Sequence, residues 1–266
     1  MQTVHKVMTI AGSDSGAGAG VQADLKTFAA FGVYGTSVVT AITAQNTQRV
    51  TKIMELPPAL IAAQIDAVIQ DIGTSALKTG MLANAEIIAV VADKIWEHHL
   101  PNLVVDPVMV AKGGDLLLRK DAIETLRSRL IPLATVVTPN LPEAEELTGI
   151  PGTRTQNIKD AARCLVDLGA KNVVIKGGHR KGPAKDIFYD GKKFRELTAP
   201  RISTPNTHGT GCTFSAAIAA NLAKGEKLEK AVVEAKKFIT QAIRKGFPIS
   251  SGHSPVHHFY RFWKKT

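Results

Sequence analysis

Residues 7–31 read VMTIAGSDSGAGAGVQADLKTFAAF, and the order of their three parts decides the fold. Residues 7–11 are short and rich in β-branched side chains, which predicts a buried strand. Residues 12–20 are rich in glycine, which lets a backbone approach a ligand closely. Residues 21–31 then have a helical pattern. A strand, a loop and a helix in this order are typical of an α/β protein.

The same alternation continues along the chain. Further strands are predicted at residues 37–43, 103–106, 135–138 and 172–176, each ending in polar residues or glycine. Further helices are predicted at residues 58–72, 85–98, 121–130 and 158–168. We therefore predict a mainly parallel central sheet with helices on both faces. No repeat or linker divides residues 1–266, so we expect a single domain.

Residues 186–202 depart from this alternation. They contain IFYD, GKK and FREL in succession, which predicts a β-hairpin with Asp190 and Gly191 in its turn. We therefore expect a small antiparallel addition near one edge of the sheet.

Composition excludes several classes of protein. No apolar run approaches the roughly 20 residues that a bilayer span requires, and the first residues lack the features of a signal peptide. The two cysteines, Cys164 and Cys212, cannot form a disulfide framework. We expect a cytoplasmic protein that has no membrane partner.

The net charge of +10 is spread along the chain and aromatic residues are only 5%, so a solvated basic surface is favoured over nucleic-acid binding.

Residues 207–213, THGTGCT, lead into the helical pattern FSAAIAANLAKG and carry the strongest functional signal. Small residues at a helix start leave backbone N–H groups free, and the helix dipole attracts anions there. A thiol at this place, that of Cys212, is expected to be stabilised as thiolate and to act as a base. The alternative, a small residue that only packs at a helix start, stays open. Residues 12–20 match neither the dinucleotide fingerprint nor the P-loop, and a tight turn remains an alternative for them.

Polar side chains also follow three predicted strands, in the sequences DPVM (106–109), NLPE (140–143) and KGGH (176–179). Carboxylates and an amide at strand ends can hold Mg²⁺, largely through water, and a lysine can bind phosphates. Each cluster alone is also compatible with helix or turn capping. Ligands of open α/β sheets lie at the carboxyl ends of strands, so together these clusters predict phosphoryl transfer.

The whole series of stretches resembles the hydroxymethylpyrimidine/phosphomethylpyrimidine kinases, the thiamine-pathway branch of the ribokinase-like superfamily. The likeness runs from Ile10 to about Phe259, through AGSDSGAGAGVQADLKTF, TAITAQNT, KTGM, VVDPVM, TPNLPEAEELTG, IKGGH, THGTGCTFSAAIAA and GHSPVHHF. It implies a ribokinase-like fold and a homodimer. The activity that it implies is ATP-dependent phosphorylation of 4-amino-5-hydroxymethyl-2-methylpyrimidine and then of its monophosphate, with Mg²⁺ as cofactor.

The resemblance also implies roles for residues around the phosphates. Gly209, Thr210 and Gly211 would form the anion hole for the transferred group, and Cys212 would take the proton from the substrate hydroxyl. The residues around ATP and its metal would be Lys176 at the ATP phosphates, Asn140 and Glu143 positioning Mg²⁺, and Asp106 close by. Residues 177–184 are a candidate for a loop that closes over ATP.

For the acceptor, the resemblance implies a pocket lined by Gly12, Asp24, Gln45 and Met81. The side-chain amide of Gln45 would hydrogen-bond the aminopyrimidine ring, because one amide both donates and accepts. Judged on their residue types alone, Asp24 and Gln45 fit ordinary loop or helix-start chemistry equally well.

Three other functions compete with this one. Pyridoxal kinase shares the fold, and dual activity on both alcohols is compatible with the sequence. A cysteine hydrolase or transferase would use Cys212 with His208, but it would leave Asn140, Glu143 and Lys176 without a role. A nucleic-acid-binding protein with a kinase-like fold is the third alternative.

Overall fold

The structure is a computed structural model that describes residues 4–109, 117–119, 121–178 and 182–263. His179, part of the candidate closing loop at residues 177–184, lies outside the described residues. The strands are β1 Lys6–Asp14, β2 Tyr34–Gln45, β3 Val50–Glu55, β4 Ala76–Thr79, β5 Leu103–Val105, β6 Val136–Val137, β7 Val173–Ile175, β8 Ala184–Tyr189 and β9 Phe194–Ala199. The helices are α1 Gly20–Ala30, α2 Pro58–Asp71, α3 Ala85–Glu97, α4 Ala122–Thr125, α5 Leu141–Thr148, α6 Thr155–Asp167, α7 Thr210–Ala223 and α8 Leu228–Arg244.

The strands form one sheet in the order β3-β2-β1-β4-β5-β6-β7-β8-β9. The six strands from β2 to β7 in this order run parallel, whereas β3, β8 and β9 each pair antiparallel with a neighbour. The predicted mainly parallel sheet is therefore confirmed. Because parallel strands end at the same edge, the residues that follow β1, β4, β5, β6 and β7 meet there.

Antiparallel strands occur at both edges of the sheet, not at one as predicted. The β8–β9 hairpin is present, with the Asp190 carboxylate accepting the amide hydrogens of Lys192 and Lys193. The β2–β3 hairpin at the other edge was missed because its turn contains no glycine. There the Asn46 side chain accepts the amides two and three residues ahead, which closes the turn without one.

Helices cover both faces of the sheet, as predicted. Phe28 of α1, Phe214 of α7 and Phe238 of α8 belong to one apolar cluster. Helices α2 to α6 contribute to a second cluster on the other face. No helix among the described residues is long and apolar enough to cross a membrane.

The helix predicted over residues 121–130 is shorter and less regular than expected. It is α-helical only over Ala122–Thr125, continues as a π-helical turn over Leu126–Leu130, and ends in a 3₁₀ turn over Ile131–Leu133. Pro132 has no N–H to donate, which favours a change of helix type at this end. The segment still buries Leu126 and Leu130.

The buried aromatic of α8 should contribute strongly to stability. Phe238 is fully buried, and its ring lies 4.8 Å from that of Phe31. We expect Phe238→Ala to lower the free energy of unfolding by about 3–5 kcal/mol, because it removes a large core side chain and leaves a cavity. Phe262 is 62% exposed, so the matched control Phe262→Ala should change it by less than about 0.5 kcal/mol. Equal losses in urea titrations of the two variants would contradict this packing.

Candidate functional site

A cavity of about 790 Å³ lies at the carboxyl edge of the parallel strands. Its wall contains the strand-end residues and the start of α7 together. Eleven of the twelve residues singled out in the sequence line it: Gly12, Gln45, Met81, Asp106, Asn140, Glu143, Lys176, Gly209, Thr210, Gly211 and Cys212. The twelfth, Asp24, does not.

The first loop is folded around the carboxylate of Asp14. This carboxylate accepts hydrogen bonds from the backbone amides of Gly16, Gly18 and Ala19, and it lies 2.8 Å from Nε2 of His208. Burial acts to raise the pKa of Asp14, but the hydrogen bonds to His208 and to the amides lower it below its ordinary value. The loop is therefore anchored at an ionised carboxylate.

The start of α7 is in close backbone contact with the first loop. Gly209 has a φ of 74°, and a Cβ atom there would overlap the carbonyl oxygen of Gly18. No side chain caps the helix, and amides of a first helical turn lack intrahelical acceptors. A Cβ atom on Gly211 would lie only 3.3 Å from Nζ of Lys176. This helix start therefore combines the dipole and a nearby ammonium, which together attract a phosphate.

The ammonium group of Lys176 lies close to two buried carboxylates beside that helix start. Nζ of Lys176 lies 2.7 Å from Oδ1 of Asp106 and 3.9 Å from Oε2 of Glu143. Burial opposes the charge of Lys176, yet both carboxylates raise its pKa above the ordinary value. Burial likewise acts to raise the pKa of Asp106, but Lys176 and Lys78 lower it. Asp106 is therefore ionised at neutral pH.

Glu143 is the carboxyl group of this cluster whose charge Lys176 compensates less, because it lies farther from the ammonium than Asp106 does. It forms a capping box with Asn140 at the start of α5. Burial and, more weakly, Asp106 raise the pKa of Glu143 to about 7, against the lowering effect of Lys176. Burial therefore leaves this carboxyl only partly ionised at neutral pH, in spite of the nearby lysine. Oxygen donors of this kind fit Mg²⁺, and a cation bound beside Glu143 would favour the ionised form.

Asp24 was expected to touch the substrate, but it lies behind the cavity wall. Its carboxylate is fully buried, accepts a hydrogen bond from Thr9 at 2.6 Å, and pairs with Nζ of Lys78 at 2.8 Å. Lys78, in contrast, lines the cavity. Burial opposes the charge on Lys78, but Asp24 raises its pKa, so we regard the two as an ion pair. Asp24 holds the lysine in place because an unpaired buried ammonium would be costly.

The expectation that the thiol of Cys212 is stabilised as thiolate is wrong. Burial raises the pKa of Cys212 to about 11, although Lys78 and the amide of Gly20 act to lower it. The helix start alone does not overcome the loss of hydration of the sulfur. His208 does not pair with this thiol, since its Nε2 is bound to Asp14. The cysteine-hydrolase alternative therefore lacks its base.

The far end of the cavity is formed by residues for which no sequence signal was found. Arg201 and Ile202 follow β9, and Lys236 and Thr240 lie on α8. Lys236 is bound to Asp186 at 2.7 Å. These residues come from segments that the strand-end rule does not cover, so only the fold brings them to the cavity.

Asp14 and Lys78 near the helix start were also missed as parts of the site, and His208 had been considered only as the partner of Cys212 in a hydrolase. Asp14 lies in the glycine-rich first loop, His208 lies in THGTGCT, and Lys78 opens KTGM at the end of β4. A lysine next to Ala76 and Leu77 in a short run that ends at Gly80 was the available signal, because a lysine in a buried strand is rarely without a partner.

Comparison with known proteins agrees with this arrangement. The family model described as Phosphomethylpyrimidine kinase matches residues 14–257. A hydroxymethylpyrimidine/phosphomethylpyrimidine kinase of Haemophilus influenzae is 52% identical, over 97% of this chain and 98% of that protein. The thiamine biosynthesis bifunctional protein ThiED of Geobacter sulfurreducens is 53% identical over 95% of this chain, which spans about half (52%) of that protein's length.

A solved structure extends the comparison to a second vitamin kinase. The pyridoxal kinase from Staphylococcus aureus in complex with AMP-PCP and pyridoxal superposes with a TM-score of 0.91 at 38% identity. The superposition covers 98% of this chain and 96% of the other. The expected fold class is thereby supported by a structure as well as by sequence.

The raised thiol pKa leads to a test by alkylation. In a Cys164→Ser variant, the reaction of Cys212 with iodoacetamide should accelerate by roughly tenfold per pH unit between pH 7 and 9, because only the thiolate reacts. It should still rise above pH 9, since the pKa of Cys212 is about 11. Mass spectrometry of the alkylated peptide measures the rate, and Cys212→Ser gives the background. A plateau below pH 8 would contradict the raised pKa.

Proposed function

The chain belongs to the phosphomethylpyrimidine kinase family, whose members are phosphotransferases of thiamine biosynthesis, and from this premise we propose how its cavity transfers the phosphoryl group. The acceptors are hydroxymethylpyrimidine and then its monophosphate. The γ-phosphoryl group of ATP moves in line to the hydroxyl, between the start of α7 and the end of β7. The observation that carries this proposal is the position of the Lys176–Asp106 ion pair beside the start of α7: the two groups are 2.7 Å apart, and a Cβ atom on Gly211 would lie 3.3 Å from the lysine Nζ and 3.6 Å from Oδ2 of Asp106.

The donor end of the reaction depends on positive charge. Lys176 is held at the cavity wall by Asp106, and from there its ammonium stabilises charge that develops on the transferring group. Glu143 and Asp106 would hold Mg²⁺. Among the described residues, no three His, Cys, Asp or Glu side chains form a cluster able to hold a metal ion. Such a sparse protein contribution suits Mg²⁺, which keeps several waters and binds substrate phosphates; when bound, it neutralises phosphate charge.

Cys212 is the acceptor for the hydroxyl proton. Because the pKa of the thiol is about 11, Cys212 is mostly protonated at neutral pH, and it takes the hydroxyl proton from its minor thiolate form, which is a strong base. Lys78 and the Gly20 amide favour the thiolate form. In a loose transition state the nucleophile carries little positive charge until late, so the proton leaves late as well.

The acceptor end of the cavity is suited to a flat polar ring. Thr43 Oγ1 lies 3.1 Å from Oε1 of Gln45, which orients the amide and leaves its NH₂ group to donate to a ring nitrogen. Met81 lies close to Gly12, and a side chain at position 12 would crowd it, since a Cβ atom there would lie 3.2 Å from the methionine methyl group. The sulfur side chain can adapt to the ring face.

Pyridoxal is the second candidate acceptor, because the protein superposes closely on a pyridoxal kinase. The two candidate acceptors are distinguished by measuring ADP release from Mg·ATP. The assay is run in parallel with hydroxymethylpyrimidine, its monophosphate and pyridoxal. Turnover of both pyrimidines, with pyridoxal slower, supports the proposal. Turnover of pyridoxal alone would replace it, and no turnover with any acceptor would refute it.

We also propose that the protein acts as a cytoplasmic homodimer. Ile42 and its cross-strand neighbour Met54 are 50% and 67% exposed on the edge hairpin, and a second copy would bury them. Sedimentation velocity of the protein and of an Ile42→Lys, Met54→Lys variant measures this. A monomeric protein, or an unchanged dimer in the variant, would contradict the assignment of this interface.

Removal of the proton acceptor should reduce turnover but not ATP binding. We expect Cys212→Ala to lower kcat by about 10²–10⁴-fold, the usual contribution of a positioned base, with the dissociation constant for ATP changed less than about threefold. Cys164→Ala is the matched control, because Cys164 lies on α6 outside the cavity lining. Calorimetry supplies the affinity; a comparable loss of ATP affinity would contradict the role.

Truncation of Gln45 should affect the acceptor selectively. We expect Gln45→Ala to raise KM for hydroxymethylpyrimidine by about 10-fold or more, because a lost hydrogen bond to a buried partner costs about 1–3 kcal/mol. KM for ATP should stay within about twofold. Gln156→Ala is the matched control, since Gln156 is exposed on α6 outside the lining. Equal effects on both substrates would remove Gln45 from the acceptor pocket.

A further inference from the structure

The segment formed by residues 250–258, here called the C-terminal strap, has no assigned role in the reaction, yet it is bound to two loops of the site. Its residue Ser254 is fully buried and accepts the amide hydrogen of His208. Val256 donates its own amide to the carbonyl of His208. Further along, Nε2 of His258 lies 3.0 Å from Oγ1 of Thr213, the residue after Cys212. The strap is therefore fastened to both sides of the anion hole.

The other end of the strap is fastened beside Gln45. The amide of His253 donates to the carbonyl of Thr47 at 2.8 Å, and Nε2 of Gln48 lies 2.7 Å from Oγ of Ser251. Gly252 permits this contact, because a Cβ atom there would overlap the Thr47 carbonyl oxygen. These contacts are made with the β2–β3 turn at residues 46–49, here called the acceptor turn. The strap thus runs from the acceptor turn to the start of α7.

The first loop completes a closed ring of contacts. Oγ of Ser15 lies 2.8 Å from both the amide nitrogen and the carbonyl oxygen of Gln45. The neighbouring residue Asp14 is bound to Nε2 of His208. These contacts therefore form a closed ring. The first loop contacts the acceptor turn, the turn contacts the strap, the strap contacts the start of α7, and His208 there contacts the first loop.

His208 is the member of this ring with the most connections. Its backbone binds the strap on both sides, its ring binds Asp14, and it directly precedes Gly209 of the anion hole. A Cβ atom on Gly18 would overlap its ring, so the ring also rests against the first loop. A buried His–Asp pair contributes little net stability, which indicates that its geometry is the reason for its presence.

We propose that His208 is a positioning residue that ties the acceptor pocket to the anion hole, so that a pyrimidine held at Gln45 stays at transfer distance from the start of α7. This inference rests on the proposed kinase function. A displacement of about 1 Å between reacting groups can cost about 10²-fold in rate. Loosening the ring should therefore reduce transfer to the acceptor while ATP still binds, and water should compete for the phosphoryl group.

The test compares ADP formed with phosphorylated pyrimidine formed. We expect His208→Ala to lower kcat for transfer by about 10–100-fold, to leave the ATP dissociation constant within about threefold, and to form more ADP than product. His208→Gln keeps a donor to Asp14 and should restore most of the coupling. His98→Ala is the matched control, because His98 pairs with Asp66 at 2.6 Å away from the cavity lining; it should behave as wild type.

A second variant decides the matter if His208→Ala does not fold. Gly252→Ala leaves the His–Asp pair intact but pushes the strap from Thr47, and it should raise KM for the pyrimidine and the excess of ADP over product. Unchanged transfer and coupling in the folded His208→Ala protein, or in Gly252→Ala, would overturn the inference. Wild-type protein without activity on any acceptor would instead overturn the proposed kinase function.

Discussion

Helix α7 is buried on every side from Thr213 to Ala223, and this constraint fixes where the site is built. The helix lies between the sheet and helices α1 and α8, and its many alanines allow close approach on all faces. A helix enclosed in this way cannot slide or rotate without disturbing a packed core. Its first turn is consequently held at the carboxyl edge of the sheet, where Asp106 and Lys176 directly follow β5 and β7.

The charges at this edge follow from the same packing. Burial removes water from carboxylates, an ammonium and a thiol together, so each group depends on its neighbours for its ionisation state. Lys176 neutralises Asp106 first and Glu143 only partly, whereas Asp24 neutralises Lys78. The site is therefore electrostatically incomplete at Glu143 and Cys212, which are the two groups that a metal-bound nucleotide and an acceptor would approach.

Much of this was accessible from the sequence because strand-end positions converge in a parallel sheet. That rule predicts from the sequence that Asp106, Asn140 and Lys176 lie at one edge. It could not predict that Asp24 lies behind the wall, because which face of α1 meets β4 depends on packing between segments 54 residues apart. The prediction of the ionisation state of Cys212 was wrong for a related reason. The helix dipole can be inferred from the sequence, but the loss of water around the sulfur cannot.

The second edge hairpin and the ring of contacts around the acceptor pocket were not predicted either. A turn closed by Asn46 has no glycine signature, and the ring joins residues that are 194 and 203 positions apart in the chain. Short-range patterns carry no information about such pairs.

Those separations also bear on the order of folding. Closing a loop of some 200 residues costs conformational entropy that a few hydrogen bonds cannot offset. The ring therefore forms only after the sheet has brought its two ends together, so the apolar cores assemble before the acceptor pocket acquires its shape. During refolding we therefore expect compactness and secondary structure to return before activity does.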